Sequence, residues 1–211
     1  MSPSPAPRRA AITHLTRADP VLGRVIARLG ACRFAPRTEG THFDALVRAI
    51  VYQQLSGKAA ATIHGRLLGL WRGQAPTPRQ LLRASDEKLR SAGISRQKLA
   101  YLRDLAAHVH AGTLPLDRVE EMSDDELLED LVRVKGVGRW TAQMFLMFRL
   151  GRLDVLPELD LGVQKGIQLA YELPAMPRPR EVLAIGLPWA PYRSLAAWYL
   201  WRLVDDVTAT T

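Results

Sequence analysis

The stretch Leu131-Val132-Arg133-Val134-Lys135-Gly136-Val137-Gly138-Arg139-Trp140-Thr141-Ala142 is the part of the chain best suited to holding a phosphate. An apolar helical stripe ends there, a Gly-x-Gly turn follows, and a new helix begins at once. Glycine lets the backbone turn tightly and approach a neighbour with no Cβ in the way. The N–H groups of the turn and of the next helix's first residues have no intrahelical acceptor, and donors gathered at the positive end of a helix suit an anion. Lys135 and Arg139 flank the turn with charge. The competing reading is a plain turn between two helices. Asp160 follows Gly138 by 22 positions and opens another predicted helix, where its residue type alone reads as an N-cap.

Helices must position these groups, because the periodicity is helical almost throughout. Asp19-Pro20 pairs an N-cap with Pro at the first helical position and opens a helix to about Leu29. Phe43, Leu46, Val47, Ile50 and Val51 form an apolar stripe at helical spacing. A second pattern covers 58–71, Thr77-Pro78 starts a short helix, and Ser95 caps 96–109. Ser123 with Glu126 three residues later has the form of a capping box. Further helices are predicted near 139–150, 161–171, 180–185 and 192–204. No run alternates as a half-buried strand would, and the segment 153–157 is short and ends in Pro. The fold class is therefore all-α, with about ten helices.

The chain of 211 residues is long enough for one domain or two small lobes. With 47% hydrophobic and 24% charged residues it has globular composition. The formal charge is +8, and 24 of the 29 cationic residues are Arg, whose planar fork matches phosphate oxygens. An Arg-rich surface from a GC-rich genome would give the same composition. Residues 41–119 carry 12 Lys+Arg against 5 Asp+Glu, whereas 120–131 carry 7 acids and no base. The acidic block suits the first turns of a helix and should face away from a polyanion. Cys32 is the single cysteine, which excludes an intrachain disulfide, a Cys-based zinc site and an iron–sulfur cluster. Residues 1–12 read as a disordered basic tail with Arg8 and Arg9. They lack the apolar region of a secretory signal, and no stretch is apolar enough to span a bilayer, so a soluble intracellular protein is expected.

In this context residues 131–142 resemble the helix-hairpin-helix of DNA repair glycosylases. Leu156-Pro157-Glu158-Leu159-Asp160-Leu161-Gly162-Val163-Gln164-Lys165-Gly166 resembles the second half of the same signature. Ile50-Val51-Tyr52-Gln53-Gln54-Leu55-Ser56-Gly57-Lys58-Ala59-Ala60, Ala92-Gly93-Ile94-Ser95-Arg96-Gln97-Lys98, and Trp189-Ala190-Pro191-Tyr192-Arg193-Ser194 with Ala197-Trp198-Tyr199-Leu200-Trp201 resemble the 3-methyladenine DNA glycosylase II branch of that superfamily. The resemblance covers about residues 40–204 and is to the short form, without the N-terminal β-rich domain of larger members. It implies a two-lobed helical bundle with the active-site cleft between the lobes, one lobe about 40–120 and the other about 13–39 plus 121–211. It implies a monofunctional glycosylase of base excision repair that hydrolyses the N-glycosidic bond of flipped-out alkylated purines in double-stranded DNA. The alternative is a non-enzymatic module that binds damaged DNA.

The resemblance also assigns residues. Asp160 falls on the catalytic carboxylate; Glu158, close by, does not fall on that position and reads as a surface or secondary acid. Trp140, Trp201, Tyr192 and Met144 fall on the base pocket, while Trp198, three residues before Trp201, reads as core. Bifunctional relatives place a Schiff-base Lys where this chain has Trp140, so no lyase step is expected. Gln53, Gln54, Leu55 and Ser56 match the intercalating loop, with the wedge either Gln54 or Leu55. Lys135, Gly136, Gly138, Arg139, Thr141 and Lys58 match phosphate-binding positions. The carbonyls of Val132, Val134 and Val137 match those that hold a structural Na+ or K+. No cofactor is expected for catalysis. A monomer in the nucleoid of a bacterial cytoplasm is expected.

Overall fold

The structure is a computed structural model and describes residues 5–210, with side chains from Arg8 to Ala209. Those residues form twelve α-helices and no strand, with a π-helical segment at Leu146–Leu150 and a 3-10 turn at Leu187–Trp189. No described helix is long and apolar enough to cross a membrane. The chain divides into two compact units, one of the described residues up to Arg37 with those from Leu146 onward, the other Thr38–Phe145.

The second unit holds α3 (His42–Tyr52), α4 (Gly57–Gly69), α5 (Pro78–Arg83), α6 (Asp86–Ser91), α7 (Arg96–His110), α8 (Asp124–Val132) and α9 (Arg139–Phe145). The caps read from sequence at Thr77, Ser95 and Ser123 start three of these helices, and Ser56, read from sequence as a loop residue, starts a fourth. The hydroxyls of Ser56, Thr77, Ser95 and Ser123 each accept the N–H three residues on, and at Thr77 and Ser123 the capping box is closed by Gln80 and Glu126. The α3 stripe is buried in full, α7 packs on α5 and on α3, and α8 packs on α9. Leu102, Leu105, Leu127 and Leu131 are fully buried in this core.

The first unit holds α1 (Pro5–Ala18), α2 (Pro20–Leu29), α10 (Leu161–Ala170), α11 (Pro179–Ile185) and α12 (Arg193–Thr210). Here α12 packs on α10 and α2, and α1 on α2. Asp19, 7% exposed, ties three segments together. Its Oδ1 accepts from Val21 N and Leu22 N at 2.9 and 3.1 Å, capping α2. Its Oδ2 accepts from the indole of buried Trp189 at 2.7 Å and from the Tyr171 hydroxyl. Burial, and then the Asp19 carboxylate itself, push the Tyr171 phenol well above its ordinary value, so it remains a donor.

Several expectations need correction. Residues 5–12 are not a disordered tail: they lie in α1, where Ala11 and Leu15 are fully buried at i, i+4 spacing and Arg8 donates to Phe34 O at 2.8 Å. Residues 1–4 lie outside the described residues. The boundary expected near 120 falls at Phe145, because α8 packs on α9 and α9 on α3, which keeps the hairpin with residues 38–145. The helix predicted over 139–150 changes to a π turn after Phe145. The six-residue α6 went unread because one buried Leu89 leaves no periodicity to see.

Candidate active site

The hairpin of the second unit is held from below by its own apolar residues. Val134 and Val137 are buried, with Val134 N on Leu131 O at 3.1 Å and Val137 N on Val134 O at 3.0 Å. Its two glycines have different reasons to be there. Gly136 has φ +82°, and a Cβ on it would lie 2.2 Å from the Tyr101 ring. A Cβ on Gly138 would meet nothing within 4 Å. The protein therefore requires glycine at 136, while 138 leaves an open approach to the backbone at the start of α9.

Asp104 of α7 secures the turn. Its Oδ2 accepts from Lys135 N at 2.8 Å, and its Oδ1 lies 3.3 Å from the Lys135 ammonium. Desolvation opposes ionisation of Asp104, but the Lys135 N–H and ammonium outweigh it, with His108 adding to them, and hold the carboxyl below the usual carboxylate range. A depressed carboxyl adds stability above that range and loses it as pH falls through the depressed value. Asp104→Asn should therefore flatten the acid-side fall of the urea midpoint; an unchanged slope below about pH 4 would contradict this assignment.

These contacts sort the phosphate candidates. The Lys135 N–H is committed to Asp104, although its side chain is 74% exposed. Thr141, in the first turn of α9, is only 8% exposed. Arg139 and Lys58 are exposed, Lys58 in the first turn of α4. Val132 ends α8, where helix geometry leaves carbonyls without intrahelical donors. Trp140, 44% exposed, and half-buried Met144 share one face of α9 at i, i+4.

The loop after α3 is more differentiated than its sequence suggests. The Gln53 side chain donates to Gly136 O at 2.7 Å, and Ser56 caps α4 by accepting from Ala59 N at 3.3 Å. Both ends of the loop are thus tied down, with the two wedge candidates, Gln54 and Leu55, between them. Gln54 has the left-handed φ of +55°, and Leu55 is 38% exposed. The Lys98 ammonium donates to Val51 O and Gln53 O at 2.5 and 2.8 Å.

In the first unit the half-buried Asp160 caps α10. Its Oδ1 accepts from Val163 N at 2.8 Å and from the Trp201 indole at 2.7 Å. The cap and the chemical assignment are thus compatible, since two donors on one oxygen fix the carboxylate plane. Trp201 is stacked on Phe148 at 5.6 Å. Gly162 makes room for the indole: a Cβ there would lie 2.7 Å from the Trp201 ring and 3.1 Å from Asp160 Oδ1. The loop leading to Asp160 is clamped to the start of α12. Arg193 grips Asp154 with two bonds of 2.7 and 2.8 Å, and the buried Ser194 hydroxyl accepts from Val155 N at 3.0 Å and donates to Arg152 O at 2.8 Å. Desolvation opposes the Asp154 charge, but Arg193 prevails and holds that carboxyl low.

One assignment changes in this unit. Glu158 is 6% exposed, so it is a core residue rather than a surface acid; its carbonyl accepts from the Gln164 amide at 2.9 Å. Tyr192 is engaged edge-on by His14 of α1 at 5.5 Å. Trp198 is half-buried and edge-on to Tyr199 at 5.1 Å. Sequence reasoning missed Asp104, Tyr101, Asp154 and Gly162. Tyr101 and Asp104 lie three residues apart on α7, a visible spacing that reads as a solvated face until the hairpin is placed against it.

Comparison with known proteins matches residues 47–191 to the family described as HhH-GPD superfamily base excision DNA repair protein. The chain is 36% identical over 192 residues to DNA-3-methyladenine glycosylase 1 of Schizosaccharomyces pombe, covering 90% of this chain and 84% of the relative. It is similar to the crystal structure of a DNA-3-methyladenine glycosidase from Bacillus halodurans, with TM-score 0.87, 37% identity, and coverage of 99% of this chain and 94% of that one. It is also similar to the S. pombe 3-methyladenine DNA glycosylase in complex with abasic DNA, with TM-score 0.79, 35% identity, and coverage of 92% and 95%. The match takes in the α3 loop, the hairpin and the Asp160 segment together, and by it the chain belongs to the HhH-GPD superfamily of base excision DNA repair proteins.

Proposed function

We propose that this chain, a DNA glycosylase of base excision repair, is monofunctional and releases alkylated purines such as 3-methyladenine, 7-methylguanine and ethenoadenine from duplex DNA, leaving an abasic site. The observation that carries the reading is Asp160, a half-buried carboxylate oriented by two donors on one oxygen. Cleavage of an N-glycosidic bond develops positive charge on the sugar, and a fixed carboxylate beside that cation stabilises it and orients the attacking water. The abasic-DNA complex of the S. pombe relative agrees with DNA as the partner.

The remaining roles follow from exposure and residue type. Trp140 presents an indole to solvent, and an electron-rich ring favours the cationic ring of an alkylated purine. Indole offers no amine for a Schiff base, which supports hydrolysis without strand cleavage. Trp201, Met144 and Tyr192, whose ring meets His14, keep the base-pocket roles that the resemblance gives each of them. Gln54 and Leu55 fill the gap left by the extruded nucleotide. Gly138, Arg139, Lys58 and the Lys135 ammonium hold phosphates. The Val132, Val134 and Val137 carbonyls are neutral oxygen donors and would fit a monovalent cation bridging the hairpin to a phosphate. The protein would act as a monomer on chromosomal DNA, in a bacterium the nucleoid of the cytoplasm.

The test is a lesion panel under single-turnover conditions. Base release should occur from duplexes with alkylated purines, with strand breaks only after alkali, and affinity should fall steeply with salt. Tight binding of every lesion without base release would favour the non-enzymatic alternative. A cut strand without alkali would remove the monofunctional assignment.

A further inference from the structure

Lys98, Tyr101 and Asp104 recur every three residues along α7, and each holds a different backbone feature of the DNA-facing segments. Lys98 takes the carbonyls of Val51 and Gln53 at the C-terminal end of α3, where carbonyls lack intrahelical donors and a cation meets the negative end of the helix. Tyr101 is the surface on which Gly136 rests, and Asp104 takes Lys135 N. The Gln53 amide then joins loop and hairpin directly, on Gly136 O. Between Gln53 and the α4 cap Ser56 only Gln54 and Leu55 remain. Gln54 has the left-handed backbone that non-glycine residues avoid. Such a conformation persists where its surroundings over-determine it, and here both ends of a two-residue projection are tied down.

We propose that Lys98 is a positioning residue that locks the base-extruding loop, through Gln53, to the phosphate-binding hairpin. Grip on the backbone at the hairpin then sets the depth and register of the inserted side chain. This rests on the reading of loop and hairpin given above. In its absence the α3 carbonyls turn to water, Gln53 loses its fixed stem, and the projection samples other depths, while Asp160 and the base pocket are unchanged.

The prediction separates extrusion from chemistry. Lys98→Met should lower single-turnover release of 7-methylguanine from a paired duplex about ten-fold or more, since small misplacements of positioning groups carry large rate costs. On the same lesion in single-stranded DNA, where little must be unpaired, the loss should be much smaller. A 2-aminopurine beside the lesion should show a weaker fluorescence rise on binding, and Lys98→Arg should restore both readouts. Gln53→Leu should lower release from the paired duplex, and the double variant should lose little more than either alone. Equal losses on paired and single-stranded substrates, or none on either, would overturn the proposal. Wild-type fluorescence that rises without base release would defeat the glycosylase reading and leave this inference to be judged on the fluorescence of Lys98→Met. A wild type with no rise on binding would defeat the loop reading and this inference together.

Discussion

Replacing Asp160 with Asn is expected to slow single-turnover base release by about two to three orders of magnitude with the fold intact. Asn keeps the hydrogen bonds and loses the charge. Its carbonyl can accept from Val163 N and from the Trp201 indole, the two donors that fix Asp160 Oδ1, and Asn caps helices as well as Asp does. What it loses is the negative charge, which stabilises the sugar cation in a site that screens it poorly. Binding to a duplex with an abasic-site analogue should survive and the melting temperature should hold. Base release near the wild-type rate would remove the assigned role. Asp160→Ala would be less informative, because it also removes the α10 cap at about 1 kcal/mol and frees Trp201.

A second large effect is expected to split the two hairpin glycines. Gly136→Ala puts a methyl 2.2 Å from the Tyr101 ring and asks a non-glycine residue to hold φ +82°. The close atoms belong to the inner part of the ring, so relief requires moving Tyr101 or the hairpin. Left-handed backbone costs about 1–2 kcal/mol and overpacking about 1–3 kcal/mol, so a loss of about 2–5 kcal/mol is expected by urea unfolding. Gly138→Ala meets no protein atom and should cost less than about 1 kcal/mol. Its effect should appear instead as weaker duplex binding, where a phosphate approaches the backbone. Equal stability losses for both would contradict the division of labour.

Local chemistry was legible in the sequence. As caps, Asp19, Thr77, Ser95, Ser123 and Asp160 act on N–H groups within three residues of themselves, so those roles could be read from neighbours alone. The hairpin and the α3 loop were legible as segments for the same reason. Partnerships over long separations were not. Gln53 reaches Gly136 across 83 positions, and Arg193 reaches Asp154 across 39; nothing at either end announces the other. Glu158 looked like a surface acid because carboxylates are rarely buried, and its burial follows from the clamped loop around it. The N-terminal helix was hidden by Pro, Ala and Arg, since two small apolar contacts at Ala11 and Leu15 carry its inward face.

The discontinuous unit has a consequence for biosynthesis. Residues 38–145 form a contiguous stretch whose partners have all been translated once Phe145 is made. The segment before it waits far longer. Trp189 must arrive to meet Asp19, Tyr199 to meet Gly30 O at 2.9 Å, and Asp206 to pair with Arg28 at 2.6 Å. Helices α1 and α2, synthesised before residues 38–145, are therefore among the last to find their partners, with Leu15 and Leu22 uncovered in the interval. Nascent chains stalled once Phe145 has cleared the exit tunnel, before Trp189 is made, should carry a protected middle and a protease-sensitive start, and they are the form most in need of a chaperone.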